Sequence, residues 1–151
     1  MKARDIMTAS PMTALPGDSV RRAADIMREL NVGAVPVVEN ARSSMLRGII
    51  TDRDIVIRCT AEGHGPTCAV RDHMTPLPLQ TVLPDDDVHQ ALAKMERSQV
   101  RRIPVVTKEG VLIGVIAQAD VATKVGPEEP KEIEELLERV SAPSVPAVAH
   151  A

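Results

Sequence analysis

Hydrophobic positions change their spacing several times along the chain, and each change predicts a different element. Apolar residues recur at helical spacing over 20–27 and again over 88–95. Each of these segments is followed by two short apolar runs that are rich in valine and isoleucine, which predicts strands. The predicted strands are 34–38, 47–51, 102–106 and 112–117.

Each predicted helix is preceded by a short extended segment and an acidic residue. Thr13–Leu15 leads through a proline to Asp18, and Gln80–Leu83 leads through a proline to Asp86. An aspartate at this position can accept hydrogen bonds from unpaired helical N–H groups and interacts favourably with the helix dipole. We therefore expect Asp18 and Asp86 to cap the two helices.

The residues themselves repeat at an offset of about 67. The segment Arg4–Thr8 recurs as Arg71–Thr75, and Gly48-Ile49-Ile50 recurs as Gly114-Val115-Ile116. A second helix is predicted after each strand pair, so the order β-α-β-β-α occurs twice. An internal repeat of this kind indicates two copies of one structural unit.

We predict a mixed α/β (α+β) fold. It is built from two β-α-β-β-α repeats whose sheets pack together with pseudo-twofold symmetry. Residues 1–66 form the first repeat with a connector, 67–126 the second, and 127–151 a short amphipathic helix with a disordered tail. Halves of about 60 residues are marginal alone, so burial of sheet against sheet is expected to stabilise both. The C-terminal helix packs either on its own chain or on a partner.

Composition narrows the class of protein. There is no Phe, Tyr or Trp, so the core must be aliphatic, and the net charge of −3 argues against a general nucleic-acid binder. No apolar run is long enough to span a membrane, and the N-terminus lacks the apolar region of a signal peptide. Two cysteines make no disulfide framework. We expect a soluble cytoplasmic protein.

The turn from the third predicted strand into a helix carries the candidate chemistry. It reads Gly48-Ile49-Ile50-Thr51-Asp52-Arg53-Asp54. Thr51 offers a hydroxyl, the Asp54 carboxylate can accept hydrogen bonds from vicinal ribose hydroxyls, and the helix start offers N–H donors to phosphate. The same residues are also explained by simple helix capping, and both interpretations remain open from the sequence.

The pattern Gly-x-x-Thr-x-x-Asp after a strand, within a duplicated chain that has Met-Thr at the start of each copy, resembles the CBS domain family. The resemblance covers roughly residues 2–125. It implies a regulatory module that binds AMP, ADP, ATP or another adenosyl compound between paired repeats. It also implies a homodimer, with a further protein partner left open, and no catalysis.

By family position, the main nucleotide site takes its ribose contacts from Thr51 and Asp54, and its phosphate contacts from Arg102 with help from Arg53. The base would be surrounded by Thr75, Pro78, Leu79, Gln80 and Val100. Adjacent strand residues point to opposite faces, so Arg101 is expected to serve the other site. Alternatively, both arginines could simply be solvent-exposed residues at the end of a strand.

The second copy departs from the motif, because Ala117 stands where Thr51 stands in the first. Asp120 is kept. We expect a second site that is weaker by about 1 kcal/mol for the missing hydroxyl contact. By family position its residues are Thr8, Met12, Thr13, Val32, Gly33, Arg101 and Asp120.

Two alternatives compete with nucleotide binding. The module could be a ligand-free structural or dimerisation unit, or it could respond to metal or redox state through Cys59, His64, Cys68 and His73 in the connector. Their spacing matches no common zinc module closely, and buried thiols explain the cysteines, so no metal site is assigned. No catalytic triad, nucleophile elbow or phosphate loop is visible, so neither catalytic residues nor a catalytic cofactor is predicted.

Overall fold

The computed structural model describes residues 1–142, so the predicted disorder of the extreme C-terminus lies outside the described residues. The helices are α1 (Ala3–Ile6), α2 (Val20–Leu30), α3 (Asp52–Asp54), α4 (Val88–Ser98), α5 (Gln118–Lys124) and α6 (Pro130–Ser141). A π-helix, Ile55–Thr60, continues α3, and a 3-10 turn spans Val70–Asp72. The strands are β1 (Thr8–Ala9), β2 (Ala34–Val38), β3 (Leu46–Thr51), β4 (Thr75–Pro76), β5 (Arg102–Val106) and β6 (Leu112–Ala117).

Two three-stranded sheets form, in the strand orders β1-β6-β5 and β2-β3-β4. The mixed α+β class is therefore confirmed, and the order α-β-β-α occurs in both copies. The predicted extended segments before α2 and α4 are single bridges rather than strands, formed by Ala14 with Val37 and by Val82 with Val105. None of the helices in the described part is long and apolar enough to cross a membrane.

The predicted helix caps are wrong by one residue in both copies. Ser19 caps α2 by accepting from the Arg22 N–H, and Asp87 caps α4 by accepting from the His89 N–H. Asp18 instead accepts from the Leu15 N–H at 2.9 Å. Asp86 makes the equivalent bond to Leu83, so each aspartate closes the turn before its helix.

The chain forms two compact units, and each is built from separate stretches of sequence. The first-copy unit contains Ala9–Leu79 and Val106–Gly114. Its core includes an aliphatic cluster around Ile26, Val35 and Ile50, all almost fully buried. This core positions the turn from β3 into α3, which carries the candidate motif.

The second-copy unit contains Met1–Thr8, Gln80–Val105 and the chain from Val115 onward. The N-terminal segment is tied into it, because the Ala3 N–H donates to the Asp86 carbonyl at 2.8 Å. Helix α6 packs against α4 and α5 of the same unit and buries Ile133 and Val140. Of the two alternatives for this helix, packing on its own chain is the one observed.

Candidate functional site

Thr51 and Asp54 are joined by two reciprocal hydrogen bonds at the start of α3. The Asp54 N–H donates to Thr51 Oγ1 at 3.1 Å, and the Thr51 N–H donates to Asp54 Oδ2 at 3.0 Å. This is a capping box, and both residues are half-buried. The geometry that the sequence suggested as helix capping is therefore present, and it fixes the hydroxyl and the carboxylate beside each other.

Strand pairing explains why the motif contains a glycine. β3 pairs with β4, so that Gly48 lies opposite Pro76 and Ile49 lies opposite Thr75. A Cβ atom at Gly48 would lie 2.5 Å from the Thr75 carbonyl oxygen. Glycine thus allows β4 to approach, which brings Thr75 of the predicted base-binding set to the strand that ends at Thr51.

A basic residue that was not predicted from the sequence lies next to the motif. Arg58 Nε lies 3.7 Å from Asp54 Oδ1, and the Arg58 guanidinium donates to the Met74 carbonyl at 3.4 Å. In the second copy Lys124 Nζ lies 3.5 Å from Asp120 Oδ1. These ion pairs could have been predicted from the sequence, because in both copies an acidic residue is followed four residues later by a basic residue on a helix.

The second copy reproduces half of the capping arrangement. The Ala117 N–H donates to Asp120 Oδ2 at 2.8 Å, as in the first copy. Ala117 has no side-chain acceptor, so the reciprocal bond is missing. The backbone matches closely, with φ −111° and ψ 162° at Thr51 against φ −101° and ψ 157° at Ala117.

The other predicted residues are divided between the two units. For the main site, the first-copy unit holds Thr51, Arg53, Asp54, Thr75, Pro78 and Leu79, and the second-copy unit holds Gln80, Val100 and Arg102. For the second site, the first-copy unit holds Met12, Thr13, Val32 and Gly33, and the second-copy unit holds Thr8, Arg101 and Asp120. Leu79 packs against a cluster that includes Val38 and Leu46, so it also has a core role. Arg102 is half-buried and Arg101 is exposed.

The second-copy unit carries a further polar cluster that the sequence did not predict. His89 Nδ1 lies 2.8 Å from Asp87 Oδ1, and His89 Nε2 lies 2.8 Å from Glu129 Oε2. The hydrogen bond to Asp87, followed by that to Glu129, raises the pKa of His89 despite partial burial. Because Glu129 is 40 residues away in sequence, no local pattern could have revealed this contact.

A strand-to-helix turn with a fixed aspartate, present twice in a duplicated α+β chain, defines a paired-repeat architecture. The profile of the CBS domain family matches residues 3–59 and 70–126. Because these segments cover most of the chain, the protein belongs to the CBS domain family.

Similarity to individual proteins agrees with this assignment. Hypoxic response protein 1 of Mycobacterium tuberculosis is 36% identical over 120 residues, which cover 80% of this chain and 82% of that protein. The structure of Hypoxic Response Protein I with two coordinated zinc ions matches with a TM-score of 0.74 and 34% identity, over 82% of this chain and 98% of the other.

Two further similar structures contain adenosyl ligands. The CBS domain pair of protein MJ0100, in complex with 5'-methylthioadenosine and S-adenosyl-L-methionine, matches with a TM-score of 0.75 and 26% identity over 85% of this chain and 98% of the other. CBSX2 in complex with AMP matches with a TM-score of 0.70 and 26% identity, over 82% of this chain and 95% of the other.

Proposed function

We propose that this protein binds an adenine nucleotide, AMP, ADP or ATP, as a regulatory ligand and performs no chemistry on it. The observation that carries the proposal is the paired Thr51 hydroxyl and Asp54 carboxylate at the end of β3. The adenosyl ligands of the MJ0100 and CBSX2 structures support the choice of ligand class.

The Asp54 carboxylate has capacity to spare for a ribose. A carboxylate offers about four lone-pair sites. One oxygen accepts the Thr51 N–H at 3.0 Å, and the other lies 3.7 Å from Arg58 Nε, which is beyond hydrogen-bond distance. With 12% of the side chain exposed, the group is largely shielded yet reachable. Acceptor positions therefore remain for ribose hydroxyls while the cap stays formed.

Calorimetric titration of AMP, ADP, ATP, S-adenosylmethionine and NAD tests the proposal. We expect binding by the wild type and a loss of at least about tenfold in affinity for Asp54→Asn, since a hydrogen bond to a charged group contributes roughly 1.5–3 kcal/mol. Asparagine can still accept the Thr51 N–H, so this variant changes the charge and keeps the cap. Asp120→Asn is the matched control and should retain binding at the main site.

The outcomes separate the competing interpretations. Absence of heat with all five ligands would leave the ligand-free structural module as the better explanation. Heat that is unchanged in Asp54→Asn would refute the assignment of Asp54. Arg102→Ala tests the predicted phosphate contact, and it should weaken ATP more than adenosine because only the former carries phosphate.

We also expect the homodimer that is implied by the family. Val56 and Ile57, adjacent on the π-helix, are 56% and 49% exposed, which makes them suitable positions for a test. Light scattering should report a dimer for the wild type and a monomer for Ile57→Glu. A monomeric wild type would contradict this expectation.

The metal-responsive alternative also has support. The structure of Hypoxic Response Protein I holds two zinc ions. In this chain, Cys59, Cys68 and His73 lie together in the connector. These residues are distinct from Thr51 and Asp54, so both interpretations can hold in one molecule.

A further inference from the structure

Three soft metal-ligand side chains converge in the connector between the two copies. Cys59 Sγ, Cys68 Sγ and a ring nitrogen of His73 all lie within 4.8 Å of one another. Cys59 comes from the π-helix, Cys68 from the following loop, and His73 from the end of the 3-10 turn. All three belong to the first-copy unit.

The spacing of these atoms is close to what a tetrahedral zinc ion requires. Zn–S bonds of about 2.3 Å and Zn–N bonds of about 2.0 Å place neighbouring ligand atoms roughly 3.4–3.8 Å apart. The observed limit of 4.8 Å therefore exceeds the required spacing by about 1.0–1.4 Å at most.

Backbone hydrogen bonds hold the segments that carry the ligands. The His64 N–H donates to the Cys59 carbonyl at 2.9 Å, and the Cys68 N–H donates to the Gly65 carbonyl at 3.2 Å. The Cys68 carbonyl accepts from the Val20 N–H at 2.8 Å, which ties the loop to the start of α2. The backbone around the three ligands is already ordered by these hydrogen bonds. Metal binding would therefore lose little affinity to the entropy cost of ordering the chain.

The burial of His73 is unusual for its residue type. It is 4% exposed and is the one polar or charged residue that is buried in the described part of the chain. A buried imidazole needs a polar partner, and here the neighbouring groups are the two thiols and the ring of His64. A neutral imidazole nitrogen is a common metal ligand, so its burial beside two thiols brings three ligand groups together.

His64 is placed to complete a four-ligand set. Its ring centroid lies 5.2 Å from that of His73, and its side chain is exposed. Its carbonyl oxygen accepts from the Cys59 thiol at 3.7 Å, so its backbone adjoins the cluster. Two thiolates and two imidazoles are a common donor set of structural zinc sites.

We propose that Cys59, Cys68 and His73, with His64 as the fourth ligand, bind one zinc ion in the connector of this protein. Each thiol releases its proton on binding, because the thiolate is the ligand form. The site joins the C-terminal end of the helix that begins at Asp52 to the segment that leads into β4. The proposal is independent of nucleotide binding, since it uses none of the nucleotide-site residues.

A second group of candidate ligands provides the matched control. His89, Glu129 and Glu132 also lie within 4.8 Å of one another, in the second-copy unit. Here the imidazole already bonds to Asp87 and Glu129, and the carboxylates are largely exposed. Without thiolates this group gives no sulfur-to-metal absorption, so a spectroscopic test distinguishes the two.

The test is titration of Co²⁺ into the full chain, after reduction and removal of bound metal by a chelator. We expect one Co²⁺ per chain, the intense visible bands of tetrahedral cobalt, a thiolate charge-transfer band in the near ultraviolet, and displacement by Zn²⁺. Cys59→Ser, Cys68→Ser and His73→Ala should each weaken binding by at least about 100-fold, because each ligand contributes roughly a quarter of the binding free energy. His89→Ala should bind as the wild type does.

His64→Ala keeps the proposal testable if a core variant fails to fold, because this side chain is exposed. It should retain the thiolate band, shift the visible bands and bind more weakly. Weak octahedral cobalt spectra in the wild type would overturn the proposal. So would loss of binding in His89→Ala alone, or tight cobalt binding that is unchanged in both Cys59→Ser and Cys68→Ser.

Discussion

The capping hydroxyl at the turn into α3 is present in one copy and missing in the other. Its contribution to the free energy of unfolding can therefore be measured by removing it from the first copy and by adding it to the second. Thr51 Oγ1 accepts the Asp54 N–H at 3.1 Å, and replacing such a cap by alanine costs about 1 kcal/mol, within a range of 0.5–2. Thr51→Ala should therefore destabilise the protein by this amount. Ala117→Ser should stabilise it by a similar amount, because the backbone at 117 differs from that at 51 by 10° in φ and 5° in ψ.

Thermal and urea unfolding, followed by far-ultraviolet circular dichroism without nucleotide, measure both changes. For a chain of this size, 1 kcal/mol corresponds to a Tm shift of about 2–4 °C. Thr51→Ser is the control: it keeps the hydroxyl and loses only a methyl group, so it should remain close to the wild type. If Ala117→Ser has no effect while Thr51→Ala costs more than about 1 kcal/mol, the stabilisation at Thr51 does not come from the capping hydrogen bond.

Three further outcomes follow from the geometry. Gly48→Ala should cost about 1–3 kcal/mol in urea unfolding, because the new methyl group would meet the Thr75 carbonyl at 2.5 Å, whereas Gly17→Ala, with its nearest atom at 3.6 Å, should cost far less. The raised pKa of His89 gives stability that is complete below its unfolded value of about 6.5 and is lost as pH rises through the folded value, so the Tm advantage of wild type over His89→Gln should shrink as pH rises above about 6.5. An advantage that grows would contradict the assignment to Asp87 and Glu129. Ala117→Thr should tighten nucleotide binding at the second site about fivefold in calorimetry, which corresponds to about 1 kcal/mol, and an unchanged affinity would show that the hydroxyl is not what limits this site.

The strands and main helices were predictable because their signals are local and occur twice. β2 and β5 have the bounds that their apolar runs predicted, Ala34–Val38 and Arg102–Val106. The caps were misplaced because two cap-forming residues stand side by side in each copy, Asp18 with Ser19 and Asp86 with Asp87. Backbone geometry decides which of the two neighbouring side chains accepts the hydrogen bond from the helix, and composition does not reveal this.

Long-range contacts account for most of what the sequence did not show. The Lys124 ammonium donates to the Ile6 carbonyl at 2.7 Å across 118 residues, and Met1–Thr8 belongs to the same compact unit as the second copy. The π-helix Ile55–Thr60 was also not predicted, although its Ala61 N–H clearly donates five residues back to Val56. Its residues follow no pattern that distinguishes a π-helix from an α-helix, and such helices are rare.

Helix capping and ligand binding are usually weighed as rival explanations of a motif such as Gly-x-x-Thr-x-x-Asp, but the geometry makes the first a condition of the second. An unrestrained aspartate on a helical first turn would sample several rotamers, and fixing it on binding would cost entropy. The bond from the Thr51 N–H fixes the Asp54 carboxylate before any ligand arrives, and it uses one of about four acceptor positions. Asp120 is fixed in the same way by the Ala117 N–H. The capping hydroxyl is thus the part of this turn that the second copy lacks. Comparing the change in nucleotide affinity with the change in unfolding free energy in Thr51→Ala would measure what the hydroxyl contributes to the ligand beyond what it contributes to the helix.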